Sequence, residues 1–111
     1  MTLDAALKAL AHPGRRAMLR LVWDAELTSS ELAERTGMTK PGASQHLRML
    51  RETGLVRARV AANRRLYRVD QDRMRELRLF LDDFWAGPLA RLKALAETRA
   101  REEAGQADPS A

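Results

Sequence analysis

Cysteine is absent from the 111 residues. Disulfides, thiolate metal sites and thiol redox chemistry are therefore excluded, and the composition fits a reducing cytoplasm. Histidine is scarce, with only His12 and His46. There are five aromatic residues, Trp23, Tyr67, Phe80, Phe84 and Trp85, so Leu, Ala, Val and Met must supply most of any core. No apolar run approaches the ~20 residues of a membrane span, and Met1 leads into an acidic, amphipathic stretch unlike a signal peptide. A cytoplasmic location without a membrane partner is the expectation. Catalytic equipment is missing as well: there is no nucleophile with a base and an orienting group, no phosphate loop and no cluster of metal ligands. Neither an enzyme nor a cofactor is expected.

The length suits one domain, and 45% hydrophobic with 32% charged residues is ordinary for a globular protein. A small domain with a modest core often completes its burial by dimerising. The net charge of +5 is unevenly placed. Residues 1–38 sum to zero and residues 70–111 to −2, whereas residues 39–69 carry +7. Lys40, Arg48, Arg51, Arg57, Arg59, Arg64, Arg65 and Arg68 face only Glu52 there. A solvated surface mixes signs, as both flanking segments do, so this excess points to a polyanion.

Apolar periodicity divides the chain. Leu3, Ala6, Leu7 and Leu10 recur at helical spacing, and His12-Pro13-Gly14 breaks that helix. Ala17, Met18, Leu21 and Val22 mark a second helix over Arg15 to Trp23. Thr28-Ser29-Ser30-Glu31 is a capping box that opens a third helix, which Gly37 ends. Thr39 caps a fourth, with Pro41 in its first turn and Gly54 after its end near Thr53. Two helices joined by the tight turn Thr36-Gly37-Met38 have helix-turn-helix spacing. The period then becomes alternating. Residues 55–60 and 65–69 predict two strands, with Ala61-Ala62-Asn63-Arg64 as the hairpin turn. Asp70 caps a long last helix with an apolar stripe of Met74, Leu77, Leu81, Phe84, Trp85, Leu89, Leu92 and Leu95. Gly87-Pro88 predicts a kink or break near Ala86.

The fourth helix carries the most chemistry. At about 100° per residue, Ala43, Leu47 and Leu50 share one face, while Pro41, Gln45, Arg48 and Glu52 share the opposite one. Ser44 and Gly42 flank that polar front. Gln can bond an adenine edge in two places, Arg can bond guanine, and Ser reaches a base or a phosphate. Gly42 lets the backbone come close, and Lys40 lies where the helix N-terminus meets a phosphate. In the hairpin, Asn63, Arg64 and Arg65 at the tip are the candidates to enter a minor groove; the strand arginines alternate faces and cannot all reach DNA. Tyr67 is expected to pack the hairpin onto the third helix. His46 is expected to be packed and hydrogen-bonded, and His12 to be a cap or turn residue.

These residues resemble the ArsR/SmtB family of winged-helix repressors. The resemblance is carried by Leu10-Ala11-His12-Pro13-Gly14-Arg15-Arg16, Ser30-Glu31-Leu32-Ala33-Glu34-Arg35-Thr36-Gly37, Pro41-Gly42-Ala43-Ser44-Gln45-His46-Leu47-Arg48-Met49-Leu50 and Gly54-Leu55-Val56. It spans residues 3 to about 96. It implies a mostly α winged helix-turn-helix fold of five helices and a small β-hairpin wing. It also implies a homodimer, built from the first and last helices, that binds a palindromic double-stranded operator and represses its own or a neighbouring operon. The best-known members bind metal through third-helix cysteines, where this chain has Thr28 and Ser30. Their last helix supplies histidines, and this one has none. A metal-independent member is thus expected.

Residues 1–98 are expected to form the DNA-binding and dimerisation domain, and 99–111 a disordered tail. Leu3, Leu7, Leu77, Leu81, Phe84, Trp85, Leu89 and Leu92 are the expected dimer contacts. The same stripe is a candidate small-molecule pocket, with no effector identifiable from sequence. Two alternatives stand beside operator binding. A non-specific architectural or RNA-binding protein would show a basic surface with exposed aromatics for stacking. An antitoxin-like interaction module would use the last helix.

Overall fold

Five helices and one hairpin follow each other along the chain: α1 Leu3–Leu10, α2 Pro13–Leu21, α3 Ser29–Thr36, α4 Lys40–Glu52, β1 Val56–Ala61, β2 Arg64–Val69 and α5 Gln71–Gln106. This computed structural model describes residues 2–106.

Local chemistry accounts for most boundaries. The Thr28 hydroxyl accepts from the Glu31 amide while the Glu31 carboxylate accepts from the Thr28 amide, closing the capping box that starts α3. Gly37 ends α3 in the left-handed region at φ 74°, and the Met38 amide returns to the Ala33 carbonyl. Thr39 caps α4 by accepting from the Gly42 amide. His12 caps α2 by accepting from the Gly14 amide through Nδ1. Asp70 starts α5 by accepting from the amides of Asp72 and Arg73.

The strands pair antiparallel, with Val56 opposite Val69 and Ala61 opposite Arg64. Ala62 and Asn63 both have positive φ, 50° and 65°, which gives the two-residue primed turn that matches strand twist. Asn tolerates that region and Ala does so at a cost, so Ala62 is the strained residue of the tip.

The chain divides into two units, Met1–Leu77 and Arg78–Ala111. In the first, Met18, Val22, Leu32, Leu47, Leu50 and Leu55 are fully buried between α2, α3, α4 and the hairpin. Backbone bonds tie these elements together: Leu27 and Tyr67 exchange a pair, the Val69 amide donates to the Val22 carbonyl, and the Asp70 amide donates to the Leu55 carbonyl. Tyr67 is buried where the hairpin meets Leu27, just ahead of α3.

The described part of the second unit is helix throughout. Of the kink or break expected near Ala86, the break does not occur: α5 continues as helix through Gly87-Pro88. Proline removes one intrahelical bond, but strong helix formers on both sides, Leu89 to Ala96 among them, restart the ladder at once. Helix also continues over residues 99–106, where a disordered tail was expected, because Ala, Arg and Glu dominate there. The rest of that stretch, 107–111, lies outside the described residues.

Candidate nucleic-acid interface

The polar front of α4 emerges as its periodicity dictates. Ala43, Leu47 and Leu50 are buried, at most 1% exposed, whereas Lys40, Pro41, Ser44, Gln45, Arg48 and Glu52 are exposed. Thr39 is exposed at the N-cap and Gly42 is half-buried. A Cβ on Gly42 would stand 3.0 Å from the Thr39 hydroxyl, so this glycine protects the cap as well as leaving the helix start open. No acidic side chain lies within ion-pairing distance of Lys40, Arg48 or Arg51 among the described residues. Their charge is free for a polyanion.

α4 is held from behind by two histidines and an arginine. The His12 and His46 rings lie 4.5 Å apart, and Arg15 Nη1 lies 3.3 Å from His46 Nδ1, which therefore acts as the acceptor. Burial first, then the charges of His12 and Arg15, push the His46 imidazole below its ordinary range. Arg15 also donates to the carbonyls of Lys8 and Ala9, and Arg16 to that of Leu10. These two arginines close the C-terminus of α1. A Cβ at Gly14 would come 2.5 Å from the Met38 methyl, the flexible end of a side chain that would have to shift.

The hairpin sorts its arginines by face. Cross-strand partners share a side, so the register puts Arg57 with Arg68, Arg59 with Leu66 and Ala61 with Arg64 on the outer face. Arg65 pairs with Val60 on the other face, near the tip. Three outer arginines have carboxylate partners: Arg57 with Asp70 at 2.8 Å, Arg59 with Glu26 at 2.6 Å and Arg64 with Glu31 at 3.2 Å. Arg65 and Arg68 have none among the described residues. Thus Asn63, Arg64 and Arg65 are exposed at the tip as expected, yet only Arg65 of the two arginines is unpaired. Arg68 was not singled out from sequence. Strand alternation alone places it outward, but its lack of a partner depends on where the acids fold.

Two of the paired acids, Asp70 and Glu31, are held below the ordinary carboxylate range. Burial would raise the Asp70 carboxyl, but the Arg73 amide, the Arg57 guanidinium and the Asp72 amide outweigh it and hold the group low. The Thr28 amide and hydroxyl hold Glu31 low, with help from Arg64 and Arg35. A groove of about 500 Å³ opens on the outer face, lined by Arg57, Arg59 and Arg68 with Glu26 and Asp70. Its charges largely cancel.

Of the expected dimer contacts, Leu3 and Leu81 are half-buried, while Leu7, Phe84, Trp85, Leu89 and Leu92 are 40–61% exposed. Leu77 differs. It is 4% exposed in the single chain and belongs to the core of the first unit. Trp23, Phe80, Phe84 and Trp85 are all exposed, so the aromatics are less enclosed than their apolar spacing suggested. Three of them share α5 with Asp82 and Asp83 rather than the basic segment, which disfavours stacking on a nucleic acid.

The residues do not fit a thiophilic metal. Thr28 and Ser30 offer hydroxyls where thiolates would be needed, and the Thr28 hydroxyl is committed to the α3 cap. Among the described residues no three His, Asp or Glu side chains converge as a ligand set.

Residues 12–58 match the arsR family of bacterial regulatory proteins. The chain is 38% identical over 86 residues to the HTH-type transcriptional regulator Rv2034 of Mycobacterium tuberculosis, covering 78% of this chain and 80% of that one. A crystal structure described as a possible transcriptional regulator for arsenical resistance is 39% identical with a TM-score of 0.67, covering 79% and 92% of the two chains. The solution structure of a homodimeric winged helix-turn-helix DNA-binding domain from Mycobacterium bovis is 34% identical with a TM-score of 0.62, covering 70% and 73%. The five helices and antiparallel hairpin are a winged helix-turn-helix, and its relatives are regulators rather than enzymes. The chain belongs to the arsR family of bacterial regulatory proteins, as a transcriptional regulator with a DNA-binding helix-turn-helix.

Proposed function

We propose that this regulator binds a palindromic operator as a homodimer and represses its own or a neighbouring operon from the cytoplasm, without a metal. One observation carries the reading: α4 buries a slim apolar seam and exposes Ser44, Gln45 and Arg48 beside unpaired Lys40 and Arg51. Gln45 and Arg48 are the base-reading residues, with Ser44 beside them. Thr39, Lys40, Pro41 and Gly42 form the end of the helix that meets the phosphates. Asn63, Arg64 and Arg65 are the wing contacts. The exposed apolar faces of α1 and α5 supply the dimer, which sets two α4 helices about 34 Å apart, one turn of DNA. The choice of repression over activation rests on the family resemblance. Independence from metal rests on the missing cysteines and on Thr28 and Ser30.

The test is fluorescence anisotropy with duplex DNA from upstream of the gene and a scrambled duplex, repeated across salt. A specificity ratio of about a thousand or more is expected. Arg48→Ala or Gln45→Ala should cost about 1–3 kcal/mol of binding to the upstream duplex and relax its sequence preference. Equal, steeply salt-dependent binding to both duplexes would move the assignment to a non-specific architectural protein. An antitoxin-like module would bind neither.

A further inference from the structure

We propose that Glu31 is a specificity-determining residue of the DNA interface: its carboxylate holds Arg64 of the wing and must be displaced by a phosphate before that arginine contributes. The proposal rests on the DNA-binding reading above. Its basis is a single oxygen with two donors. Glu31 Oε1 accepts from the Thr28 amide at 3.1 Å and from Arg64 Nη2 at 3.2 Å. The first bond is half of the capping box, so the carboxylate is fixed to the start of α3 rather than carried on a free side chain. The same cap keeps it ionised. The second bond reaches across 33 positions of sequence to the first residue of β2. Both side chains keep solvent access, 61% for Arg64 and 38% for Glu31, so an incoming phosphate can compete for the guanidinium.

Two consequences follow. Non-specific DNA gains less from the wing than its formal charge implies, because Arg64 arrives already neutralised. A specific complex, in which α4 fixes the register, can exchange carboxylate for phosphate at a defined place. Glu31 thereby weakens binding to the wrong sequences more than to the right one, which is discrimination by an opposing contact.

The measurement uses the full chain, with upstream and scrambled duplexes, from about 50 to 200 mM salt. In Glu31→Gln the amide oxygen still accepts from Thr28, so the cap persists while the charge is gone. The expected result is about two- to fivefold tighter binding to the scrambled duplex, the affinity equivalent of one exposed ion pair, with a salt slope steeper by about one. The specificity ratio should fall. Both gains should vanish when Arg64→Ala is added, whereas simple relief of repulsion from DNA would survive that change. Arg64→Ala alone should flatten the scrambled-duplex salt slope less than Arg65→Ala does, which tests the idea even if Glu31→Gln fails to fold. Unchanged scrambled-duplex binding in Glu31→Gln, a gain that survives Arg64→Ala, or equal losses for Arg64→Ala and Arg65→Ala would overturn it. If the unaltered protein does not discriminate between the duplexes, the operator-binding reading fails first.

Discussion

Residues 1–77 and the helix beyond them solve the burial problem in opposite ways. In the first unit the large aliphatic side chains Leu32, Leu47, Leu50 and Leu55 are at most 1% exposed, and the exposed large hydrophobics, Leu7, Trp23, Met49 and Val60, come singly from different segments. In the second, Phe84, Trp85, Leu89, Leu92 and Leu95 are 49–66% exposed on a single helix. On a helix they fall within an arc of about 140° together with Leu81, so they form one face rather than a scatter. A lone helix with such a face lacks the packing that normally supports it. The first unit therefore encloses its own apolar core, whereas the apolar face of the second has no cover within its own helix. The homodimer proposed above would cover that face.

The largest effect that would sharpen this contrast is in the first core. Leu50→Ala should lower unfolding free energy by about 2–5 kcal/mol in urea titration, because Leu50 is completely enclosed. Leu89→Ala, in the exposed face, should cost far less when measured at concentrations too low for association. Equal losses at both positions would dissolve the distinction. Next comes Phe84→Asp. It should weaken association by about 2–4 kcal/mol, seen as monomer at micromolar concentration by sedimentation, while the urea midpoint of a monomeric sample stays in place. A dimer that survives the charge would remove α5 as the interface.

The smallest effect lies within the first unit, at the contact behind α4. His46 titrates lower in the folded protein than in the unfolded chain, so the unfolded state binds more protons in that range. Its stabilising contribution is complete above the ordinary histidine range and is lost as pH falls through the folded value. The melting temperature should therefore decline between about pH 7.5 and 5.5, and His46→Gln should flatten that decline. The low-titrating carboxyls of Glu31 and Asp70 act in the same direction but at lower pH. An unchanged slope in His46→Gln would mean that Arg15 and His12 tolerate the imidazolium.

Much of the helix-turn-helix was legible because its signals act within a few residues. Thr28 with Glu31, Gly37, Thr39, and Asp70 before α5 each satisfy backbone groups two to four positions away, so sequence alone locates them. The alternation of residues 55–69 likewise announced the hairpin. Its strands run one residue further at the turn than expected, to Ala61 and from Arg64, because only Ala62 and Asn63 leave the ladder. At Pro88 helix continues because strong helix formers flank the proline, which the local penalty alone does not reveal.

By itself, then, the sequence determined the order of elements, the caps, the buried seam and polar front of α4, and the concentration of positive charge in residues 39–69. These depend on periodicity, short-range hydrogen bonds and formal charge. Only the tertiary structure decided that Arg15 and Arg16 close α1 and that Arg57, Arg59 and Arg64 are already paired. It alone also placed Leu77 in the chain's own core. The physical reason is range: ion pairs between Arg59 and Glu26 or Arg64 and Glu31 join residues 33 positions apart, and no periodicity encodes which distant acid a folded hairpin will meet.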